Sequence, residues 1–370
     1  MKLNLFIATL LILLGNAVSA QGIPLIKAQS TDVDIRDGLH FKKGSWHLMP
    51  EMKPARYYVE LPAKEHRVIF YTDIDSAVFD IASGGVYNFI ILLNGKDTCY
   101  TQIIAAPKEV VAYKSERHTS EGIPDTIPFT IGSDNKIMIR ASINHSDSMN
   151  LRFDLGTSYS AIKSASLKKA NISFANDNGP VSNKTQLNIA GLVWDSVRFH
   201  QYDHDMSSRE DGIVGNSLFQ DKIVEINYDN KWIIVRDTLP MMDTSYSRHE
   251  MILNDNIPMM QASLATKDTS ATTWFVFDTG NSGNGWIDDS TASRFQLYRG
   301  VNKIISWGDR VFVKIPELRV ANLSFLNVSA TLAKRGTHTK DISLLGNSLL
   351  KRFNVVIDNR NGFIYLKPNS

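Results

Sequence analysis

The 370-residue chain carries 40 basic and 38 acidic residues, a net charge of +2, with 43% hydrophobic and 21% charged residues. That balance is ordinary for a globular chain; it argues against disorder and gives no electrostatic footprint for nucleic acid. The one cysteine, Cys99, excludes an internal disulfide.

Lys2, the apolar run Leu5 to Leu14 and the small residues Ala17-Val18-Ser19-Ala20 before Gln21 read as a cleavable secretory signal over residues 1–20. The run is too short to span a bilayer, and no later stretch approaches the ~20 apolar residues a spanning helix needs. No cysteine stands near the cleavage site to carry a lipid. The expectation is an exported chain without an integral membrane segment, placed in the periplasm, at the cell surface or in the medium. An exported chain without disulfides leans toward a bacterial envelope.

From Ile26 to about Ser115 the pattern is short strands with turn punctuation. Arg56-Tyr57-Tyr58-Val59-Glu60-Leu61 and Arg67-Val68-Ile69-Phe70-Tyr71 are rich in β-branched and aromatic residues, and Ala77-Val78-Phe79-Asp80-Ile81 ends at Ser83-Gly84-Gly85. Tyr87 to Leu93 and Thr98 to Ile104 flank Asn94-Gly95-Lys96-Asp97, a hairpin signal. This predicts a small β-sandwich accessory domain over residues 21–120. It has no acid pair, no phosphate loop and no metal-ligand spacing, so folding support is the plain reading. Carbohydrate or surface binding through Trp46, Tyr57 and Tyr58 is the sharper one. Cys99 reads as a packed small hydrophobe. The polar run Ser115 to Gly122 breaks the strand rhythm and marks the expected boundary.

Beyond it the chain repeats itself. Leu151-Arg152-Phe153-Asp154-Leu155-Gly156-Thr157-Ser158 returns as Phe275-Val276-Phe277-Asp278-Thr279-Gly280-Asn281-Ser282, with the acids 124 positions apart (278 minus 154). Gly212-Ile213-Val214-Gly215-Asn216-Ser217-Leu218 returns as Ser343-Leu344-Leu345-Gly346-Asn347-Ser348-Leu349 at an offset of 131. That offset then holds without a gap, placing Ile226 on Ile357, Trp232 on Phe363 and Ile233 on Ile364. Ala141-Ser142-Ile143 pairs with Ala262-Ser263-Leu264. The difference between offsets falls in loops, where insertions are tolerated. An internal duplication follows, with halves over residues 121–240 and 241–370.

In each half an apolar strand runs into an acid and is broken by glycine, and an apolar-apolar-Gly segment follows. These four segments resemble the lobes of pepsin-like and retropepsin-like aspartic peptidases, from Asp125 to the C-terminus. The resemblance implies an all-β chain: a small N-terminal β-sandwich followed by a duplicated two-lobed acid-protease β-barrel domain. It implies Asp154 and Asp278 as the catalytic dyad, with Gly156 and Gly280 permitting the turns. Thr157 and Asn281 stand where the family places a polar side chain near the outer carboxylate oxygens, followed by Ser158 and Ser282. Thr279 is expected to link the two loops, and Gly215 and Gly346 to let the supporting strands approach from below. The first-lobe flap is expected in Phe174 to Thr185, with Asp177-Asn178-Gly179-Pro180 at its tip, and its counterpart in Gly300 to Gly308 with Trp307.

Two acids are needed because carboxylates ~3 Å apart cannot both ionise cheaply and so share a proton. The implied function is an exported aspartic endopeptidase acting on a peptide or protein substrate, monomeric, with no cofactor and no metal. Leu155 departs from the Thr or Ser of the family, and its side chain cannot hydrogen-bond. The second reading is therefore a non-catalytic peptide-binding or structural envelope protein on the same fold. His200-Gln201-Tyr202-Asp203-His204-Asp205 crowds possible metal ligands but lacks the helical Glu of a zinc peptidase. Ser160-Ala161-Ile162-Lys163 matches Ser-x-x-Lys without its companion motifs.

Overall fold

The computed structural model describes residues 23–37, 41–61, 66–82, 84–107, 113–115, 125–174, 182–203, 209–254, 256–267, 269–336 and 342–369. The expected signal segment, most of the polar run Ser115 to Gly122, the flap tip Asp177 to Pro180, and His204 and Asp205 lie outside the described residues.

Period-two alternation organises the first unit. One four-stranded sheet takes Leu25–Ala28, Val86–Leu93, Asp97–Pro107 and Ala55–Leu61 in that order; the other takes Phe41–His47, Asp32–Asp37, His66–Tyr71 and Ser76–Ile81. The inward set includes Ile26, Val33, Ile35, Val68, Phe70, Phe89 and Ile91, which form one shared core. Two sheets that bury one face each against the other make a sandwich. The hairpin between Val86–Leu93 and Asp97–Pro107 turns at Asn94 and Gly95, whose φ angles of 53° and 68° suit those residue types. Cys99 is fully buried in this core. Tyr57 belongs there too, its ring 4.9 Å from that of Trp46, so it is not a free surface aromatic.

The strand Tyr113–Ser115 precedes the expected boundary yet pairs with Leu192–Val197 of the first lobe. Tyr113 Oη and Ser115 Oγ both donate to the Asp125 carboxylate, at 2.9 and 3.0 Å, and the Tyr113 ring packs 4.9 Å from Trp194. By pairing, this strand is part of the lobe.

The two lobes join through a six-stranded antiparallel sheet, in the order Asp125–Ile131, Trp232–Arg236, Ile223–Asn227, Phe353–Asp358, Phe363–Pro368, Ser247–Asn254. At its centre Val224 pairs with Ile357 and Ile226 with Val355. Moving each residue of one pair by the 131-residue sequence offset yields the other pair, so the register itself is two-fold symmetric. The duplication read from the sequence is thus a spatial one. One continuous apolar core, from Ile127 to Leu366, runs through both lobes.

Candidate active site

Each acid ends a strand, Met149–Asp154 in the first lobe and Ser270–Asp278 in the second. Leu151, Phe153, Phe275 and Phe277 are fully buried. Alternation therefore turns Asp154 and Asp278 away from the lobe cores. The segments Gly212–Gly215 and Leu344–Gly346 run parallel to these strands and set Gly215 opposite Asp154 and Gly346 opposite Asp278.

The four glycines serve close approach. A Cβ on Gly215 would lie 2.6 Å from Thr157 O and 2.7 Å from Tyr159 O, and one on Gly346 would run into Gly283 O. For Gly156 and Gly280 the expected reason changes. Neither has the positive φ that a turn reserved for glycine would need. Instead a Cβ on Gly156 would sit 2.5 Å from Asp278 Cγ, and one on Gly280 would fall on the Asp154 carboxylate. Each loop packs its glycine against the other loop's acid.

The Asp154 and Asp278 carboxyl groups face each other where the two loops meet, close enough for each to feel the other's charge. Gly156 N–H donates to Asp154 Oδ1 at 2.9 Å; Gly280 N–H and Asn281 N–H donate to Asp278 Oδ1 at 2.9 and 3.0 Å. The Asn281 side-chain Oδ1 accepts from Gly283 N–H at 2.9 Å, and among the described hydrogen bonds Asn281 reaches Asp278 through its backbone N–H. Among the described hydrogen bonds none joins Thr157 Oγ1 to the pair; Thr157 instead faces Gly215 with its carbonyl and methyl group. Ser282 contributes its carbonyl, which accepts from Ser348 Oγ at 2.9 Å. Ser158 is half-buried beside the first loop.

One hydroxyl links the loops. Thr279 Oγ1 donates to Phe153 O at 3.0 Å and accepts from Leu155 N–H at 3.0 Å. At the matching position of the first loop stands Leu155, whose side chain is fully buried in the apolar core.

Burial, the charge of Asp154 and the hydrogen bond to it hold Asp278 well above the usual carboxylate range, against the opposing pull of Gly280 N–H and Arg152. This is the behaviour of an acid that keeps its proton at pH values where an ordinary carboxyl has released it.

Several residues at the site were missed from the sequence. Arg152 lies one alternation before Asp154 and is buried beside it, its Nε 3.2 Å from Asp154 Oδ2. Glu210 lies behind Arg152 and Lys136 behind Glu210. The signal was present: a cation two residues before the acid in an otherwise apolar strand must share the acid's face. Asn216 and Asn347, each directly after a supporting glycine, latch the lobes. Asn216 Nδ2 donates to Asn256 O at 2.8 Å, and Asn347 Nδ2 donates to Asn135 O. Both acceptors sit in left-handed turns, with φ 63° and 61°.

The hairpin expected opposite the first flap is present: Asn302–Trp307 pairs with Arg310–Val320 around Gly308 at φ 58°, and Trp307 is 77% exposed at its end. Of the first-lobe flap the bridge Phe174–Ser182 is described. Asp203 accepts from the Ser164 backbone N–H and hydroxyl, and Ser160 is buried in a strand beside Phe199. Among the described residues no group of His, Cys, Asp and Glu is arranged to hold a metal ion.

No protein-family model and no curated protein sequence matches the chain. Among solved structures, an aspartic proteinase from Irpex lacteus aligns with a TM-score of 0.44 at 11% identity, over 67% of this chain and 98% of its own. On its own topology the chain is an all-β protein, a small β-sandwich followed by a duplicated, two-lobed β domain. No helix among the described residues is long and apolar enough to cross a membrane.

Proposed function

We propose that the chain is an exported aspartic endopeptidase that uses Asp154 and Asp278 to activate water against a peptide bond. The observation that carries the reading is the pairing of one acid from each half, face to face and each packed on the other loop's glycine. In such a pair the ionised member takes a proton from water as the water oxygen bonds to the carbonyl carbon. The protonated member gives its proton to the carbonyl oxygen, so the tetrahedral diol forms without net charge. In the collapse the first acid protonates the amide nitrogen as the C–N bond breaks. The second takes back a proton from one diol hydroxyl, which restores the pair. The exposed hairpin ending at Trp307 is a candidate cover over an extended peptide. Export to the periplasm, cell surface or medium rests on the N-terminal sequence alone, and the working unit is taken as a monomer.

The test is hydrolysis of an unstructured protein across acid to neutral pH. Cleavage should be inhibited by a statine-containing peptide, which mimics the tetrahedral diol, and be indifferent to chelators and to serine- and cysteine-directed reagents. Leu155, which removes half of the loop link, favours a second reading: a cleft that binds extended peptides without cutting them. Binding of the peptide library with no cleavage at any pH selects that reading.

A further inference from the structure

The two halves of the pair are not equivalent. On the Asp154 side the preceding outward residue is Arg152; at the position 124 residues on, beside Asp278, stands Val276. The Arg152 side chain is 8% exposed, and its Nε has no hydrogen-bond partner even though it lies 3.2 Å from Asp154 Oδ2. The attraction is therefore between charges rather than through an aligned N–H bond. Arg152 Nη1 lies 3.5 Å from Glu210 Oε2, whose side chain is 1% exposed. Lys136 Nζ, 11% exposed, donates to Glu210 Oε1 at 3.1 Å and also lies 3.3 Å from the more exposed Asp134. Asp211, next in the chain, faces elsewhere, held by Asn150 N–H, Ser166 and Lys169.

The buried part of this row thus holds two cations, Arg152 and Lys136, and one fixed anion, Glu210. A guanidinium taken out of water persists only where neighbouring anions offset its desolvation. Glu210 is already divided between two cations. Asp134 offsets Lys136 only at the exposed end of the row, so at the buried end the further anion in contact with Arg152 is Asp154. Ionised Asp154 in turn leaves the proton of the pair to Asp278, which has no cation on its own strand.

We propose that Arg152, held by Glu210 and Lys136, assigns the proton within the pair. Asp154 is the standing carboxylate that accepts the proton of the attacking water, and Asp278 is the acid that donates to the substrate carbonyl. Arg152 is a positioning residue: it acts through Asp154 and forms no bond with substrate. The inference rests on the reading of Asp154 and Asp278 as a working pair, but it can be tested without turnover.

The experiment follows the aspartate side-chain carboxyl carbons by 13C NMR through a pH titration of the full chain, with Asp154 and Asp278 assigned by their Asn variants. Near neutral pH the wild type should show Asp278 in the protonated position and Asp154 in the ionised one. Arg152→Met should draw the two resonances together, and Arg152→Lys, which keeps the charge, should restore their separation. Arg152→Gln replaces the methionine variant if that one is not folded by circular dichroism. Where the chain cleaves peptides, loss of the charge should also move the acid limb of kcat/KM upward by about one pH unit or more. A proton on Asp154 in the wild type, or the same proton distribution with and without the Arg152 charge, overturns the proposal. A chain that shows the predicted resonances yet cleaves nothing keeps this inference and sinks the peptidase reading instead.

Discussion

At Thr279 a single side chain ties the two acid-bearing loops together. Its hydroxyl is fully buried, giving one hydrogen bond to the opposite loop and accepting another. Thr279→Val keeps the shape and leaves Phe153 O and Leu155 N–H without that partner, so it should cost ~1–3 kcal/mol in urea unfolding. Turnover should fall with it, because the loops that hold the acids are then untied. No change in stability would mean that the link is idle. Gly280→Ala should leave the fold standing by circular dichroism and remove cleavage, since the new methyl group lands on the Asp154 carboxylate. Cleavage at the wild-type rate would show that the pair is not as closely interlocked as described. The acids were legible in the sequence because each sits in the same apolar, glycine-broken context twice. The reason for their glycines was not, because a contact between two loops 124 residues apart leaves no local mark. Arg152 was passed over as one polar position in a buried strand, although its spacing from Asp154 places it on the same face.

Between elements, the central sheet decides how the lobes meet. Its symmetric register was readable as a gapless offset of 131, since a strand that pairs with its own copy cannot tolerate an insertion. The Asn latches at its edges were not readable, because an asparagine after glycine looks like turn chemistry until its partner is placed. The short strand Tyr113–Ser115 escaped notice for a similar reason: its partner, Leu192–Val197, is distant in sequence, and three residues give no periodicity. It carries a prediction. A chain beginning at Tyr113 should melt several degrees above one beginning at Ser120, because the shorter chain exposes the Leu192–Val197 edge and uncovers the Trp194 face. Equal melting temperatures would place the strand outside the cooperative unit.

Across the whole molecule the sandwich packs against the second lobe, where Phe41–His47 meets Ser247–Asn254. A cleft of about 1190 Å³ lies between them, lined by Trp46, His47 and Arg56 on one side and Met259 and Trp274 on the other. At this scale the acid pair also marks the stability of the chain. Asp278 is held above the usual carboxylate range by burial and by Asp154, so the folded chain keeps a proton that the unfolded chain has released. The stability from this group is complete below the ordinary carboxylate pKa of ~4 and is lost as pH rises through the raised value. Asp278→Asn should therefore show a flatter stability–pH curve and gain on the wild type toward neutral pH in urea unfolding. Identical slopes would contradict the raised proton affinity.

One measurement tests the acid pair most directly: kcat for hydrolysis of an unstructured protein by the wild type, Asp154→Asn and Asp278→Asn, each shown to be folded. One acid must be charged and the other protonated, so each substitution should remove nearly all turnover, by a factor of about a thousand or more. Cleavage that survives either substitution at the wild-type rate would contradict the pairing of Asp154 with Asp278 as the source of the chemistry.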